Sequence, residues 1–287
     1  MDMNQYFQHD SMHVLNTRRH YLSQIVRERT NSYVQYGILK GFFIHPSHWA
    51  EVVSGSYLLG TYEAGVCAIL DMLKAPDRTL VDLGAADGLF GLGLVKVGAF
   101  DRSFCFDVDT ATQALLRQRA DELGISSKVN VFGKADQDLV ALLSNEGVDL
   151  SRAVILCDIE GGEFELFDEL LLEALSRSHI IIETHGFNVD KPESPGLALE
   201  QLSERASRYF HVAEIRDGLR DVRDIPIIRD WSDWDTYLSC VEARYRMMSW
   251  LWLAPKHGPA MTPYEIDDLI IDYQRRIYSE TVSQTVA

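Results

Sequence analysis

The middle of the chain is a succession of short apolar runs separated by stretches in which apolar residues recur every three or four positions. Thr79 to Leu83, Ser103 to Phe106, Val129 to Phe132, Ala153 to Cys157 and Ile180 to Ile182 are too short for helices and read as strands. Ala153 to Cys157 is apolar throughout, which suits a central parallel strand covered on both faces. Between these runs, Thr110 to Leu123 places Leu115, Leu116, Ala120 and Leu123 on one side of a helix, with Thr110 as its cap and Gly124 as its stop. A helix-like apolar run follows the first strand as far as Val97, and Glu163 to Leu175 carries the stripe Phe164, Phe167, Leu170, Leu171 and Ala174. Two later runs, Phe210 to Ile215 and Met248 to Leu253, read as strands that pair antiparallel at one sheet edge.

This alternation predicts an α/β fold: a doubly wound, mostly parallel seven-stranded sheet with an antiparallel edge and terminal helical extensions. Right-handed crossovers bring the loops after different strands to the carboxyl edge of such a sheet, and function is expected there. Outside the sheet, residues 1 to about 30 read as a polar helical arm, and Tyr62 to Leu73 as a helix leading to a turn at Ala75-Pro76-Asp77. Leu197 to Tyr209 is helical in pattern, and a long acidic and aromatic insertion at about 216–246 contains Trp231 and Trp234. Thr262-Pro263-Tyr264-Glu265 is a capping box that opens a final helix with Ile266, Leu269, Ile270, Tyr273 and Ile277 on its apolar side. The expected organisation is an extension over 1–60 that covers substrate, a main domain over 61–257 with the insertion, and a helical extension over 258–287.

Composition narrows the function classes. With 46% apolar residues the chain can bury a substantial core, and 27 basic against 43 acidic residues give a formal charge of -16. No run of Lys or Arg is dense enough to track a phosphate backbone, so no nucleic acid partner is expected. No stretch approaches the roughly 18 apolar residues of a membrane span, and the first residues lack the basic-then-apolar order of a signal peptide. Cys67, Cys105, Cys157 and Cys240 lie far apart, read as buried thiols and point to the cytoplasm. A homodimer is modestly favoured over a monomer.

The chemistry-bearing residues fall at predicted strand ends. After the first strand the spacing is Asp82-x-Gly84-x-Ala86-x-Gly88, a ligand loop or an ordinary tight βα turn, in which Ala86 stands where a nucleotide-binding turn prefers glycine. Asp107, 25 residues beyond Asp82 at the end of the second strand, can accept both ribose hydroxyl hydrogens of a nucleoside; the competing reading is a helix-start carboxylate. Asp136 is set either to meet an adenine amino group or to remain a solvated loop charge.

Four segments in order resemble the FkbM-like group of class I S-adenosylmethionine-dependent methyltransferases. Val81-Asp82-Leu83-Gly84-Ala85-Ala86-Asp87-Gly88 is similar to the cofactor loop, and Phe106-Asp107-Val108-Asp109 to the acidic end of the second strand. Cys157-Asp158-Ile159-Glu160-Gly161-Gly162-Glu163 resembles the group's aspartate-x-glutamate-glycine segment, and Ile182-Glu183-Thr184-His185 its fifth-strand ending. Gly60-Thr61-Tyr62-Glu63 resembles the approach to the cofactor, and the similarity extends from about Thr61 to Gly186. The group commonly has Glu where this chain has Asp107.

The resemblance implies methyl transfer from S-adenosylmethionine to a small-molecule acceptor, most simply a hydroxyl oxygen, by an in-line displacement. It implies a cofactor site of Glu63, Asp82, Gly84, Ala85, Ala86, Gly88, Asp107, Asp136 and Asp158, with Glu63 either pairing the cofactor's amine or standing as a surface helix acid, and Asp158 either in the site or orienting its loop through backbone hydrogen bonds. Asp158, Glu160 and His185 are the catalytic candidates near the acceptor, His185 as base or as a structural histidine and Glu160 as acceptor-positioning or loop support. Glu163 reads as a helix-start acid, Glu183 is evenly balanced, and no metal is required. Trp49, Tyr57, Tyr62, Trp231 and Trp234 are open to acceptor cover or to plain packing. An NAD-dependent oxidoreductase and a non-catalytic protein-binding module are the alternatives.

Overall fold

The computed structural model describes residues 3–45, 54–185, 195–216, 222, 225–242 and 249–279. They fall into two compact units, one built from Ile69–Asp217 with Met248–Leu269 and the other from Met1–Ala68, Gly218–Met247 and Ile270–Ala287.

The first unit holds a seven-stranded sheet in the order β3-β2-β1-β4-β5-β7-β6. Its strands are β1 (Ala75–Leu83), β2 (Phe100–Phe106), β3 (Val129–Phe132), β4 (Ala153–Cys157), β5 (His179–Thr184), β6 (Phe210–Arg216) and β7 (Ser249–Pro255). The first five run parallel, and β7 pairs antiparallel with both β5 and β6. The doubly wound sheet with one antiparallel edge is the fold that the apolar pattern predicts. The residue that opens the expected run at Met248 lies outside the described residues.

Because strand side chains alternate between faces, Val81, Leu83, Phe104, Phe106, Ile155, Cys157, Ile180, Ile182, Leu251 and Leu253 share one face, buried with Leu139, Leu143, Phe167, Leu171, Leu172 and Leu202. The same period puts Asp82, Cys105 and Glu183 on the opposite face, where polar side chains have the strand ends within reach. Both faces are buried in the central strands, so burying an acid there is costly and calls for a reason.

Four sequence expectations are corrected. The Ala75-Pro76-Asp77 turn is the start of β1: Ala75 already pairs with Phe100, and the register shifts before pairing resumes at Thr79. Proline lacks the N–H a ladder needs, which fits an irregular start better than a central position. The helix Thr110–Glu122 is capped by Asp109, whose carboxylate accepts from the Ala111 and Thr112 N–H groups, so Thr110 is its first residue and not its cap. Glu163 to Leu175 is not one helix but two, Glu163–Leu166 and Glu169–Ala174. Asp168 between them is extended and accepts the Leu171 N–H at 2.8 Å. The new helix starts in a new phase, which buries Leu166, Phe167, Leu171, Leu172 and Leu175 and leaves Leu170 75% exposed. The apolar run after β1 is also shorter in helix than expected, with only Gly93–Lys96 helical.

In the second unit the helix Met3–Thr30 buries Leu22 and Val26. Arg18 grips Asp235 with two bonds of 3.0 and 2.7 Å, and Arg29 grips Asp230 at 2.8 and 3.1 Å. The polar arm is therefore held to the insertion residues by paired guanidinium–carboxylate contacts. Glu265 accepts the Thr262 N–H at 2.7 Å and Thr262 Oγ1 accepts the Glu265 N–H at 3.3 Å, the reciprocal bonds of the predicted capping box. The helix it opens, Pro263–Ser279, buries Ile266, Ile270, Tyr273 and Ile277, with Leu269 half-buried. All four cysteines are buried, and none is in a disulfide. Among the described residues no helix is long and apolar enough to cross a membrane.

Candidate active site

The turn after β1 leans on the end of β2: the Gly84 and Ala85 N–H groups both donate to the Phe106 carbonyl, at 2.9 and 3.0 Å. Gly84 has φ +87°, and a Cβ there would stand 1.8 Å from the Asp158 carbonyl oxygen. The turn therefore passes against the backbone that leaves β4, and only glycine permits that approach. Ala86 takes φ 44° and Gly88 takes φ 86°. Ala86 thus adopts the left-handed backbone that its side chain disfavours.

Asp107 ties this turn to the next one. Its Oδ2 accepts the Ala86 N–H at 3.1 Å and its Oδ1 accepts the Asp109 N–H at 2.9 Å, while Gln113 donates to its carbonyl at 2.9 Å. The helix-cap role belongs to Asp109. A carboxylate so held keeps lone pairs for a further donor.

Asp82 lies beneath the turn, 4% exposed. Burial pushes its carboxyl up to about 7; the Gly91 N–H that it accepts works against this, and the charges of Asp107 and Asp87 add to it. A Cβ on Gly91 would stand 2.8 Å from Asp82 Oδ2 and 2.4 Å from Cys105 Sγ, so the chain can close over this acid only at a glycine. Asp136 is exposed, and its Oδ1 accepts the Asp138 N–H at 3.0 Å within its own loop. Glu63 belongs to the other unit; it is 3% exposed, has φ 44°, and its N–H donates to Glu242 Oε1 at 2.9 Å.

The ends of β4 and β5 gather a second group. His185 is 2% exposed, and its Nε2 lies 3.5 Å from Asp158 Oδ1, 3.4 Å from Glu160 Oε2 and 3.5 Å from Glu183 Oε2. Its Nδ1 lies 3.3 Å from Glu163 Oε1. Burial pulls the imidazole pKa down, but the Glu163 contact and the charges of Glu183, Asp158 and Glu163 outweigh it and raise the pKa above the ordinary value. The three catalytic candidates from the sequence, Asp158, Glu160 and His185, are therefore brought together. Glu183 joins them as a buried wall, and Glu160 reaches them from an exposed loop at φ 55°. In this unit the described non-glycine residues at positive φ are Ala86 and Glu160, and strain held at such positions is a mark of functional sites. The facing atoms of Asp158, Glu183 and His185 lie within 4.8 Å of one another, a mixed oxygen and nitrogen set that can hold a proton or a divalent cation.

The sequence understated Glu163. It does start the helix Glu163–Leu166, but its carboxylate is fully buried, with Oε2 accepting the Gly161 N–H at 2.8 Å and Oε1 the His185 N–H at 2.6 Å. The available signal was an acid three residues before Leu166, on the side of the helix that goes inward.

The aromatic candidates Tyr57, Tyr62, Trp231 and Trp234 belong to the second unit, and Trp49 lies outside the described residues. Tyr57 and Tyr62 meet edge to face at 4.2 Å, Arg29 lies over Trp231 at 5.3 Å, and Trp234 is 63% exposed beside Tyr237.

No family model matches the chain, and no curated protein matches it. Solved structures similar to it include the O-methyltransferase TomG from Streptomyces achromogenes, involved in tomaymycin synthesis and complexed with SAM. That likeness is 14% identical, covers 69% of this chain and 80% of that one, and has a TM-score of 0.45. The O-methyltransferase from Bacillus cereus in complex with SAH is 12% identical over 81% of this chain and 90% of that one, with a TM-score of 0.45. A third, an uncharacterized protein from Listeria monocytogenes serotype 4b, is 14% identical over 73% of each chain, with a TM-score of 0.43. Likenesses this distant carry no argument about this chain, whose sheet order rests on its own strand pairing.

Proposed function

We propose that this chain transfers the methyl group of S-adenosylmethionine to a hydroxyl oxygen of a small-molecule acceptor. The observation that supports this most is the packing of Gly84 on the Asp158 carbonyl. It joins a left-handed glycine turn flanked by Asp107 to a histidine among carboxylates, on one edge of one sheet.

The residues present fit the cofactor by their chemistry. Asp107 offers acceptor-only oxygens to the ribose hydroxyls, and exposed Asp136 offers the same to the adenine amine. Gly84, Ala85, Ala86 and Gly88 bring backbone close to the nucleoside, and Asp82 braces their turn from below. Asp158 is assigned to the side of the cofactor facing the acceptor. The bound cofactor supplies an electrophilic methyl carbon on a sulfonium.

The protein's own task is then to hold the acceptor oxygen in line and to receive its proton. His185 Nε2 is the receiving atom: its neutral imidazole would take the hydroxyl proton as the acceptor oxygen gains the methyl group that the cofactor would supply. Asp158 and Glu183 stabilise the imidazolium that results, and Glu160, on its exposed loop, orients the acceptor. A positioned base of this kind contributes about 100- to 10,000-fold to rate.

Calorimetric titration of the ligand-free protein with S-adenosylmethionine tests the reading, with NAD as the control. Saturable one-to-one binding of the first and none of the second is expected, followed by methylated product in an acceptor screen. Folded protein that binds no S-adenosylmethionine would overturn the proposal.

A further inference from the structure

We infer that Glu163 is the positioning residue of His185, holding the imidazole so that Nε2 faces the acceptor side. The inference rests on the use of His185 as base in the reading above. Its grounds are the bonds that meet at one buried carboxylate. Oε2 accepts the Gly161 N–H at 2.8 Å, which fixes the loop leaving β4, and Oε1 accepts the His185 N–H at 2.6 Å, which fixes the end of β5. The same Oε1 lies 3.3 Å from His185 Nδ1. Glu163 is 0% exposed and sits 22 residues from His185 in sequence, so the contact is made by the fold and not by a local turn.

The two ring nitrogens of the histidine meet different surroundings. Nδ1 faces the buried carboxylate that already holds the backbone of the same residue. Nε2 faces Asp158 and Glu160, whose side chains are 37% and 72% exposed, together with buried Glu183. An ionised carboxylate only accepts hydrogen bonds. Asp158, Glu160 and Glu183 beside Nε2 pull the hydrogen toward that nitrogen, but two of them are open to solvent and screened. Glu163 is fully buried and the nearest of the four, which favours the hydrogen on Nδ1 and the lone pair on Nε2. A second ring nitrogen anchored by a carboxylate is the arrangement that sets both tautomer and ring orientation in catalytic histidines. Glu163 also joins the loop carrying Asp158 and Glu160 to the strand carrying Glu183. Its carboxylate thus sets the spacing of the whole group while touching no reactant.

The test reads the tautomer directly, without a known acceptor. Full-length protein labelled with nitrogen-15 at histidine is observed at a pH where the ring is neutral, and the His185 signals are assigned by their loss in His185→Gln. In the unsubstituted protein the Nδ1–H form should predominate. Glu163→Ala should abolish that bias, and Glu163→Gln, whose one carbonyl oxygen can replace Oε1, should restore part of it.

A His185 that carries its hydrogen on Nε2 in the unsubstituted protein overturns the inference even if no variant folds. So does a tautomer ratio unchanged in Glu163→Ala. Titration of the same samples with S-adenosylmethionine separates the two readings. Lack of binding removes the methyltransferase proposal while the tautomer still reports on Glu163; normal binding with the wrong tautomer removes only the role of Glu163.

Discussion

Gly84 and Asp158 touch where no side chain fits: a Cβ on the glycine would lie 1.8 Å from the aspartate's carbonyl oxygen and 2.8 Å from its carbonyl carbon. The Asp158 N–H in turn donates to the Leu83 carbonyl at 2.8 Å, so the two segments are clamped immediately before the contact. The backbone is left with no direction in which to yield. Gly84→Ala therefore combines a left-handed penalty of about 1–2 kcal/mol with an overpacking cost of about 1–3 kcal/mol. Urea unfolding should show a loss of at least about 2 kcal/mol, with weaker binding of S-adenosylmethionine. A variant with unchanged midpoint and affinity would show that the turn is far more compliant than its contacts imply.

Ala86 gives the opposite expectation two residues later. Its φ of 44° is strained for alanine, and Ala86→Gly relieves about 1–2 kcal/mol of that strain. The gain is offset by about 0.4–1 kcal/mol of added unfolded-chain entropy. The net change should lie between zero and about 1.6 kcal/mol of stabilisation by urea unfolding. Clear destabilisation would mean that the Ala86 methyl makes a contact worth more than the strain.

Asp107 offers a test on the binding side. Its two oxygens hold the Ala86 and Asp109 N–H groups, and the proposed ribose contacts use what remains. Asp107→Asn keeps one acceptor and turns the other into a donor facing a backbone N–H. The loss of a charged hydrogen bond, about 1.5–3 kcal/mol, predicts roughly 10- to 100-fold weaker S-adenosylmethionine binding by calorimetry. Because Asp109 is the helix cap, the adjoining helix should stay intact by circular dichroism.

These contacts mark what the sequence could convey. Ala153–Cys157 was legible residue for residue, because an apolar run bounded by polar residues has one economical use in a covered sheet. The break at Asp168 was hidden because the apolar stripe continues through it and the cap becomes visible only with the Leu171 N–H in place. Thr110 and Asp109 are adjacent and both good caps, so pattern alone could not choose between them. In the candidate site, Asp158, Glu160 and His185 stood out because they follow predicted strands. Glu163 did not, since its partners are set by the packing of β4 beside β5 and its position in sequence serves a helix start equally well.

Asp82 predicts how stability responds to pH. Burial raises its folded-state pKa to about 7 from an ordinary value of 3.8. Between those values the unfolded chain has released this proton and the folded chain retains it. The folded state therefore binds more protons, and stability falls as pH rises through the window. The contribution is fully present below about pH 4 and lost by the time pH passes 7, with a slope of at most about 1.4 kcal/mol per pH unit. Asp82→Asn keeps the shape and an acceptor for the Gly91 N–H without a titrating proton. The decline in unfolding free energy between pH 5 and pH 8 should be smaller in the variant by about 2–3 kcal/mol, measured by urea unfolding at each pH. The buried Cys105 thiol beside it, pushed up chiefly by burial, stays neutral across this range and adds no slope. Parallel curves for the two proteins would show that Asp82 is ionised in the folded state at pH 5, and that the carboxylate beneath the turn is better solvated or better bonded than its 4% exposure indicates.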